Sequence, residues 1–151
     1  MIRVLRTNSE NQDFISLVRM LDADLATRDG ADHSFYSQFN TIDTIRHTVV
    51  AYLQTQPVGC GAIKPFDPRT MEVKRMFIKP EFRHQRIAQQ ILMQLEAWAR
   101  ELNCVRCVLE TGKRQPEAIQ LYTKAGYKPI PNYGQYVGID NSVCFEKMLS
   151  V

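Results

Sequence analysis

The chain has 151 residues, of which 44% are hydrophobic and 23% are charged, and its formal net charge is +3. This length is typical of one domain, and the hydrophobic content is sufficient for a buried core. So small a net charge does not indicate nucleic-acid binding, and no stretch approaches the ~20 apolar residues of a membrane span. The N-terminus has no long apolar segment ahead of a small-residue cleavage site. We therefore expect a cytoplasmic, single-domain protein over residues 1–151, with no membrane partner.

The first third of the chain predicts a strand followed by a helix. Residues 2–7 are strand-like, and the Ser9-x-x-Gln12 pattern resembles a capping box. Apolar residues then fall on one helical face as far as Gly30, where we expect the helix to end. The segment 31–46 is polar and irregular, with room for a short second helix.

Three strand-like runs follow, over residues 48–53, 58–64 and 71–78. The polar turn at 54–57 between the first two runs predicts an antiparallel hairpin. From 85 to 102, apolar residues recur at intervals of three and four, which is the pattern of a long amphipathic helix.

The C-terminal part of the chain predicts a strand, a helix and two further strands. Residues 105–109 alternate in polarity, and Pro116 is suited to the first turn of a helix that ends near Gly126. Residues 127–130 and 142–149 predict the last two strands. The strand, helix and strand that precede them form a parallel crossover within an otherwise antiparallel sheet, so we predict a mixed α/β fold.

The cysteines and histidines do not predict a metal site. All four cysteines lie in apolar stretches, where a free thiol behaves as a small hydrophobic side chain. The Cys104-x-x-Cys107 spacing leaves a redox or zinc motif as an alternative, but no second cysteine pair follows. The three histidines are dispersed along the chain, at His33, His47 and His84. We expect no bound metal.

A cluster of basic residues surrounds the junction between the strand at 71–78 and the long helix. Its members are Lys74, Arg75, Lys79, Arg83, His84 and Arg86. Because a helix N-terminus has unpaired N–H groups and a partial positive charge, cations at this place predict a phosphate-binding site. The alternative is a solvated helix start.

Two segments resemble motifs of a known family. Residues 73–88 read VKRMFIKPEFRHQRIA and resemble the central motif of the GCN5-related N-acetyltransferases (GNAT), Arg/Gln-x-x-Gly-x-Gly/Ala after an apolar strand and a proline. Residues 115–127 read QPEAIQLYTKAGY and resemble the same family's second signature, Asn-x-x-Ala followed by Leu-Tyr and a Gly-Phe or Gly-Tyr pair. The two motifs stand in the order and spacing of the family.

The chain departs from the family pattern at three positions. His84 and Arg86 stand where glycine is common or expected, and Gln115 replaces asparagine. Since glycine lets the backbone approach a phosphate closely, the two side chains weaken the phosphate cradle unless φ stays negative there. Arg86 offers instead a charge-assisted contact to phosphate, and Gln115 still donates and accepts hydrogen bonds.

The resemblance implies a GNAT-like acyl-CoA N-acyltransferase fold, a mostly antiparallel sheet with a βαβ crossover and flanking helices. It implies an N-acetyltransferase that moves an acetyl group from acetyl-CoA, a co-substrate, to a primary amine by direct attack in a ternary complex. The acceptor would be a small molecule or a protein, and the chain would be able to form a homodimer. Two alternatives are a non-catalytic acyl-CoA-binding sensor and a nucleic-acid-binding domain.

The resemblance also implies roles for individual residues. Tyr122 would stand near the sulfur and protonate the leaving thiolate or hydrogen-bond to it. Because an ammonium with a pKa of ~10.4 is not nucleophilic at neutral pH, Glu110, or alternatively Glu72, would accept its proton. A backbone N–H near Met76 would bind the thioester oxygen as it becomes an oxyanion. The residues implied in coenzyme binding are Met76, Phe77 and Ile78 for the pantetheine arm, Arg83, His84, Gln85, Arg86, Ile87 and Ala88 for the pyrophosphate, and Gln115 and Tyr122.

The segment 131–138 contains two tyrosines and two glycines and is long enough for a functional loop. One hypothesis is that it closes over the acceptor. The alternative is an ordinary surface connection.

Overall fold

The computed structural model describes residues 1–30 and 44–150, which form seven strands and three α-helices. The strands are β1 (Ile2–Thr7), β2 (His47–Leu53), β3 (Gln56–Asp67), β4 (Thr70–Ile78), β5 (Arg106–Gly112), β6 (Lys128–Ile130) and β7 (Ser142–Met148). The helices are α1 (Gln12–Asp29), α2 (Ile87–Glu101) and α3 (Pro116–Lys124), with short 3-10 turns at Pro80–Phe82 and Gly134–Tyr136. Within these residues, no helix is both long enough and apolar enough to cross a membrane.

The first helix is capped by a residue other than the one the sequence pattern indicates. The side chain of Asn11 accepts a hydrogen bond of 2.9 Å from Phe14 N, so Asn11 is the N-cap of α1. Ser9 Oγ instead accepts a hydrogen bond from Ile45 N, also at 2.9 Å. The predicted Ser9-x-x-Gln12 capping box is therefore wrong, because Ser9 bonds to Ile45, just before β2, and not to the helix.

The short second helix predicted within 31–46 falls largely outside the described residues. The aromatic side chains that the sequence places there, Phe35, Tyr36 and Phe39, lie outside them as well.

The strands form one sheet in the order β1-β2-β3-β4-β5-β7-β6. Neighbouring strands are antiparallel except β4 and β5, which are parallel. The predicted mixed sheet with one parallel crossover is thus confirmed. The strand β5 continues to Gly112, three residues beyond its predicted end, and it therefore includes Glu110.

The pairing between β4 and β5 is short. It runs from Thr70 opposite Arg106 to Glu72 opposite Val108, although both strands continue well beyond these pairs. The strands therefore separate towards their carboxyl ends, and a gap opens in the middle of the sheet.

A β-bulge bends β4 at the start of this gap. The register against β3 shifts between Cys60 and Ala62, and Arg75 in the bulge has a φ of 60°. Gly61 lies opposite the bulge, where an added Cβ would come within 2.6 Å of Met76 Sδ and 2.8 Å of Ile91 Cγ2. A bulge bends its strand, so this one directs the end of β4 away from β5.

The two faces of the sheet pack against different helices. One face packs against α2, whose buried residues include Ile91, Leu92 and Leu95. The other packs against α1 through residues such as Leu17 and Val18. This second face is called the α1 face below.

Strand alternation decides which side chains the α1 face carries. Glu72 and Lys74 lie opposite Lys64 and Ala62 of β3 and share the face of Ala62, which packs under α1. Val108 lies opposite Glu72, so Glu110, two residues further along β5, lies on the same face. Three ionisable side chains of two separating strands are thus placed on one side of the gap.

Candidate active site

A cavity of about 120 Å³ lies where β4 and β5 separate. Both faces of the sheet contribute to it, since α1 lines it from one side and α3 from the other. Its charged or tyrosine-bearing lining residues are Asp29, Glu72, Lys74, Arg75, Glu110, Tyr122 and Tyr136. The gap in the sheet is therefore a passage between two faces that meet different helices.

Glu110 extends from β5 into this cavity. Its Oε2 is buried and has no hydrogen-bond partner among the residues that the structure describes. Burial raises the pKa of Glu110 to about 7, against a hydrogen bond from Ser142 and the charge of Lys74, which lower it. The charges of Asp29 and Glu72 raise the pKa of Glu110 further. A carboxyl group with this pKa accepts and releases protons near neutral pH.

Glu72 occupies a more polar position on β4. Its Oε2 accepts a hydrogen bond of 2.7 Å from the hydroxyl of Tyr133. Its Oε1 lies 3.9 Å from Lys74 Nζ. The sequence left two glutamates as candidates for the base. The structure gives partners to both oxygens of Glu72, whereas Glu110 Oε2 has none within residues 1–30 and 44–150.

Tyr122 reaches the same cavity from the opposite face. It lies on α3, is buried, and packs edge-on against Tyr127 with ring centroids 5.8 Å apart. Burial, and then the charge of Glu110, raise the pKa of Tyr122 above that of a free phenol. Tyr122 is therefore a protonated donor at neutral pH.

The loop between β4 and α2 adopts a backbone usually reserved for glycine. His84 has a φ of 65° and Arg86 has a φ of 63°, both in the left-handed region. Negative φ was the condition under which side chains at these two positions would not weaken a phosphate cradle, and this condition is not met. The chain instead keeps the glycine-like conformation with two side chains that disfavour it, and both side chains are exposed.

The N-terminus of α2 begins directly after this loop. Arg86 is the N-cap residue and makes no side-chain capping hydrogen bond, and the first turn carries no acidic residue. The N–H groups of the first turn and the helix dipole thus favour an anion at this place.

The side chain of Arg83 turns back onto β4. Its Nε donates a hydrogen bond of 3.0 Å to Ile78 O, and its guanidinium carbon lies 5.7 Å from the centre of the Phe77 ring. This contact fixes the start of the loop. Its implied contact with pyrophosphate stays a prediction.

The loop between β6 and β7 is held in place by one asparagine. Asn132 Nδ2 lies within 3.2 Å of three carbonyl oxygens, those of Tyr136, Ile139 and Ser142. This arrangement places the buried side chain of Tyr136 in the cavity wall and brings Tyr133 to Glu72. The loop that the sequence suggested as a cover for the acceptor does border the cavity.

Contacts between α1 and the start of α3 close one end of the site. Arg28 forms an ion pair with Glu117, and Arg114 Nη1 donates a hydrogen bond of 2.8 Å to Asp29 O. The carboxyl end of α1 is thus fixed beside the end of β5.

Sequence reasoning missed Lys74 and Tyr133 as residues of the site. Lys74 appeared only as one member of the basic cluster, although the alternation of β4 places it on the same face as Glu72. Tyr133 depends on the path of the loop, for which the local sequence carries no signal.

The four cysteines are free and buried. Burial raises the pKa of Cys60 and of Cys107 to about 12 and that of Cys144 to about 11. These are inert thiols at neutral pH, in agreement with the interpretation of buried cysteines. Over residues 1–30 and 44–150, no three His, Cys, Asp or Glu side chains come together as a metal-binding group.

The family profile of the acetyltransferase (GNAT) family matches residues 14–127. The chain belongs to the GNAT acetyltransferase family. The match includes both motifs on which the resemblance was based, and it includes Glu72, Glu110 and Tyr122.

Known proteins agree with this assignment. An IAA acetyltransferase of Azospirillum brasilense is 38% identical over 93 residues, which are 61% of this chain and 61% of that protein. The N-acetyltransferase YjgM of Escherichia coli is 33% identical over 85 residues, 54% of this chain and 50% of YjgM. The chain thus spans between half and two thirds of the length of these relatives.

Solved structures show the same fold over nearly the whole chain. A Klebsiella pneumoniae protein assigned as an acyl-CoA N-acyltransferase has a TM-score of 0.83 and 30% identity, covering 99% of both chains. The PaiA N-acetyltransferase of Thermoplasma acidophilum in complex with coenzyme A has a TM-score of 0.71 and 18% identity, covering 98% of this chain and 99% of that one. The predicted GNAT acyl-CoA N-acyltransferase fold is confirmed.

Proposed function

We propose that the protein transfers an acetyl group from acetyl-CoA to a primary amine by direct attack within a ternary complex. The observation that carries the proposal is the convergence of Glu110 and Tyr122 on one cavity from opposite faces of the sheet. A base and a proton donor on opposite sides of a gap allow two substrates to meet there without a covalent enzyme intermediate.

The residues present suit acetyl-CoA as a co-substrate. The N-terminus of α2 and the loop before it favour the pyrophosphate, since their backbone N–H groups lack side-chain caps. The part of β4 beyond Glu72 faces the gap, where Met76 lines the cavity. We assign the pantetheine arm to Met76, Phe77 and Ile78, and the pyrophosphate to residues 83–88. Gln115, which lines the cavity at the start of α3, completes the coenzyme side.

Glu110 is assigned as the base and Tyr122 as the acid. The amine arrives as an ammonium, and Glu110 Oε2 takes one of its protons. The freed nitrogen then attacks the thioester carbon, the carbon–sulfur bond breaks, and the sulfur takes a proton from the Tyr122 hydroxyl. The nitrogen, positively charged after the attack, releases its second proton, which restores the Tyr122 hydroxyl, and Glu110 returns its proton to water. Glu72 keeps its partners Tyr133 and Lys74 through these steps and acts on the base through its charge. In enzymes with two neighbouring carboxyl groups, the different surroundings of the two groups commonly leave only one of them to act as the base.

The test combines coenzyme binding with turnover. Acetyl-CoA is expected to raise the Tm of the wild type in a saturable way, with a nucleotide control that lacks the pantetheine arm giving no comparable shift. Loss of the base in Glu110→Gln should lower kcat for an amine acceptor about 10²- to 10⁴-fold while the Tm shift is kept. Tyr122→Phe should lower kcat with little change in KM.

Glu146→Gln is the matched control for the base. Glu146 lies on the same face of the sheet, opposite Val108, and pairs with Arg106 away from the cavity. Its substitution removes the same charge and should leave kcat within a factor of about two, since it changes no group in the site. A Tm shift with no turnover of any amine in the wild type would favour the acyl-CoA-binding sensor. Cytoplasmic location, homodimer formation and the absence of a nucleic-acid partner stay predictions.

A further inference from the structure

Lys74 and Glu110 carry opposite charges into the same cavity. Lys74 lies on β4 and Glu110 on β5, on the same face of the sheet and on either side of the gap. Each affects the pKa of the other, so the two groups are within electrostatic range. Lys74 belongs to the acceptor side because it shares the α1 face, opposite the helix that supplies Tyr122.

The charge of the Lys74 ammonium is incompletely balanced by the residues that the structure describes. Its Nζ lies 3.9 Å from Glu72 Oε1, which permits an ion pair but is too long for a direct hydrogen bond. The other oxygen of Glu72 accepts from Tyr133. Burial, together with the charges of Arg75 and Lys64, lowers the pKa of Lys74 by more than the charges of Glu72 and Glu110 raise it. An anion beside Lys74 would stabilise the charged ammonium and so offset the lowering of its pKa by burial.

Glu110 is the acidic group of the cavity whose charge is incompletely balanced. Its Oε2 is buried without a partner in the described part of the chain, and burial dominates its pKa. A cation beside this oxygen would stabilise the ionised carboxylate. The cavity thus has one under-balanced position for a cation and one for an anion.

On the basis of the function proposed above, we infer that the acceptor is a small free amino acid, held with its amino group at Glu110 and its carboxylate at Lys74. Lys74 and Glu110 line the same cavity of about 120 Å³, so one small molecule that carries both an amino group and a carboxylate can contact both side chains. The carboxylate at Lys74 holds the nitrogen at one distance from the base, and the proton transfers remain those described above.

The other charged groups at the cavity define the main competing acceptor. Asp29 and Glu72 also line it, and Arg75 lies 3.5 Å from Asp22 of α1. Acidic groups in this number would suit a diamine with no carboxylate. The Lys74 side chain, which lines the cavity with its Nζ 3.9 Å from Glu72 Oε1, favours the amino acid, because its charge would repel a second cation there.

The experiment measures kcat/KM for matched acceptors with acetyl-CoA in excess. The panel contains free α-amino acids, β-alanine, the carboxamide of each, and the diamine putrescine. The wild type is expected to prefer the best acid over its carboxamide by about 10- to 100-fold, the range that a hydrogen bond to a charged group provides. The carboxamides also represent a peptide N-terminus, which lacks the free carboxylate, so they separate a small acceptor from a protein one.

Variants of two neighbouring lysines test which of them causes the preference for the acid over its carboxamide. Lys74→Met is expected to remove most of the preference for the acid, and Lys74→Arg to restore part of it. Lys64→Met is the matched control, because Lys64 lies opposite Glu72 on β3 but does not line the cavity, and it should keep the preference. The Tm shift with acetyl-CoA shows that each variant is folded.

Each outcome separates this inference from the proposed function. Acetylation of carboxamides or of putrescine as fast as of the acids overturns the amino-acid acceptor and leaves the acetyltransferase in place. An acid preference that survives in Lys74→Met also overturns it. If the wild type binds acetyl-CoA and acetylates none of the amines, the proposed function fails and this inference fails with it.

Discussion

Glu110 links the chemistry of the site to the stability of the fold. Its pKa of about 7 in the folded protein compares with an ordinary value of 4.5, and burial is the main cause. Because the folded state holds the proton more tightly than the unfolded state, stability falls as the pH rises from 4.5 to about 7 and stays reduced above it. The residue that can act as a base near neutral pH is therefore one that the fold accommodates at a cost.

Glu110→Gln should reveal both effects. The variant is expected to be more stable than the wild type at pH 8, by up to about 3 kcal/mol, and nearly equal to it at about pH 3, where the carboxyl group is almost fully protonated in both states. The kcat of the wild type should decrease when the pH is lowered through an apparent pKa near 7. Urea unfolding at the two pH values and a pH–rate profile check this, and equal stabilisation at both pH values would contradict it.

The loop from β4 to α2 carries the main departure from the family pattern. It keeps two left-handed residues, His84 and Arg86, where glycine would remove the steric cost. Left-handed backbone costs most residues roughly 1–2 kcal/mol, and histidine is among those that adopt it more readily. Arg86 therefore carries the larger part of the strain.

Arg86→Gly should stabilise the fold by about 0.5–1 kcal/mol, after allowance for the greater freedom of glycine in the unfolded chain. If the loop binds the pyrophosphate as proposed, the affinity of the variant for coenzyme A should depend less on salt, because one charge of the proposed phosphate site is removed. Gln85→Gly is the control at the neighbouring position, where φ is not positive, and it should be neutral or destabilising. A destabilised Arg86→Gly would show that the arginine side chain is needed for folding. Thermal unfolding and coenzyme titration at two salt concentrations measure these effects.

At the scale of the whole molecule, the sheet consists of two parts joined by three residue pairs. Strands β1 to β4 form one part, the N-terminal half-sheet, and β5, β7 and β6 form the other, the C-terminal half-sheet. A buried polar cluster spans them: Glu96 of α2 accepts hydrogen bonds from the Tyr127 hydroxyl at 3.0 Å and from Lys147 Nζ of β7 at 2.8 Å. Because α2 also packs on β2, β3 and β4, this cluster ties the two halves together.

Lys147→Met should therefore destabilise the protein by about 2–3 kcal/mol, since Glu96 stays buried and loses its cation. The double variant Lys147→Met with Glu96→Leu should recover part of the loss. Lys128→Met, at an exposed lysine of the neighbouring strand β6, should change stability by less than about 0.5 kcal/mol. Urea unfolding provides the measurement, and equal effects of the two lysine variants would contradict a bridging role.

Periodicity was sufficient to predict the long helix α2, the parallel crossover and the class of the sheet, because these follow from which residues must be buried. The cap of α1 was misassigned because Ser9 and Asn11 both have side chains suited to capping, and only the path of the chain to Ile45 decides between them. The end of β5 was placed before Glu110 because Thr111 and Gly112 look like a turn when the pairing with β7 is not known.

The residues of the candidate site also differ in how far the sequence alone could predict them. Tyr122 was predicted from the motif at 115–127, and the two glutamates were predicted from strands that lie next to the motifs in sequence. The choice between the glutamates could not be predicted in this way, because it rests on a hydrogen bond between Glu72 and Tyr133, which are 61 positions apart in the chain. Strand alternation alone could have placed Lys74 on the same face as Glu72. Its proposed role, however, depends on the gap next to the bulge at Arg75.

The positions of the buried cysteines allow the opening of the two half-sheets to be followed separately. Cys60 lies in β3, whereas Cys107 and Cys144 lie in β5 and β7, and all three are buried with raised pKa values. A thiol-labelling reagent reaches such side chains only when the surrounding strands open. Peptide mapping of the label over time would therefore tell whether the two parts of the sheet open together or in turn, with no probe added to the natural sequence.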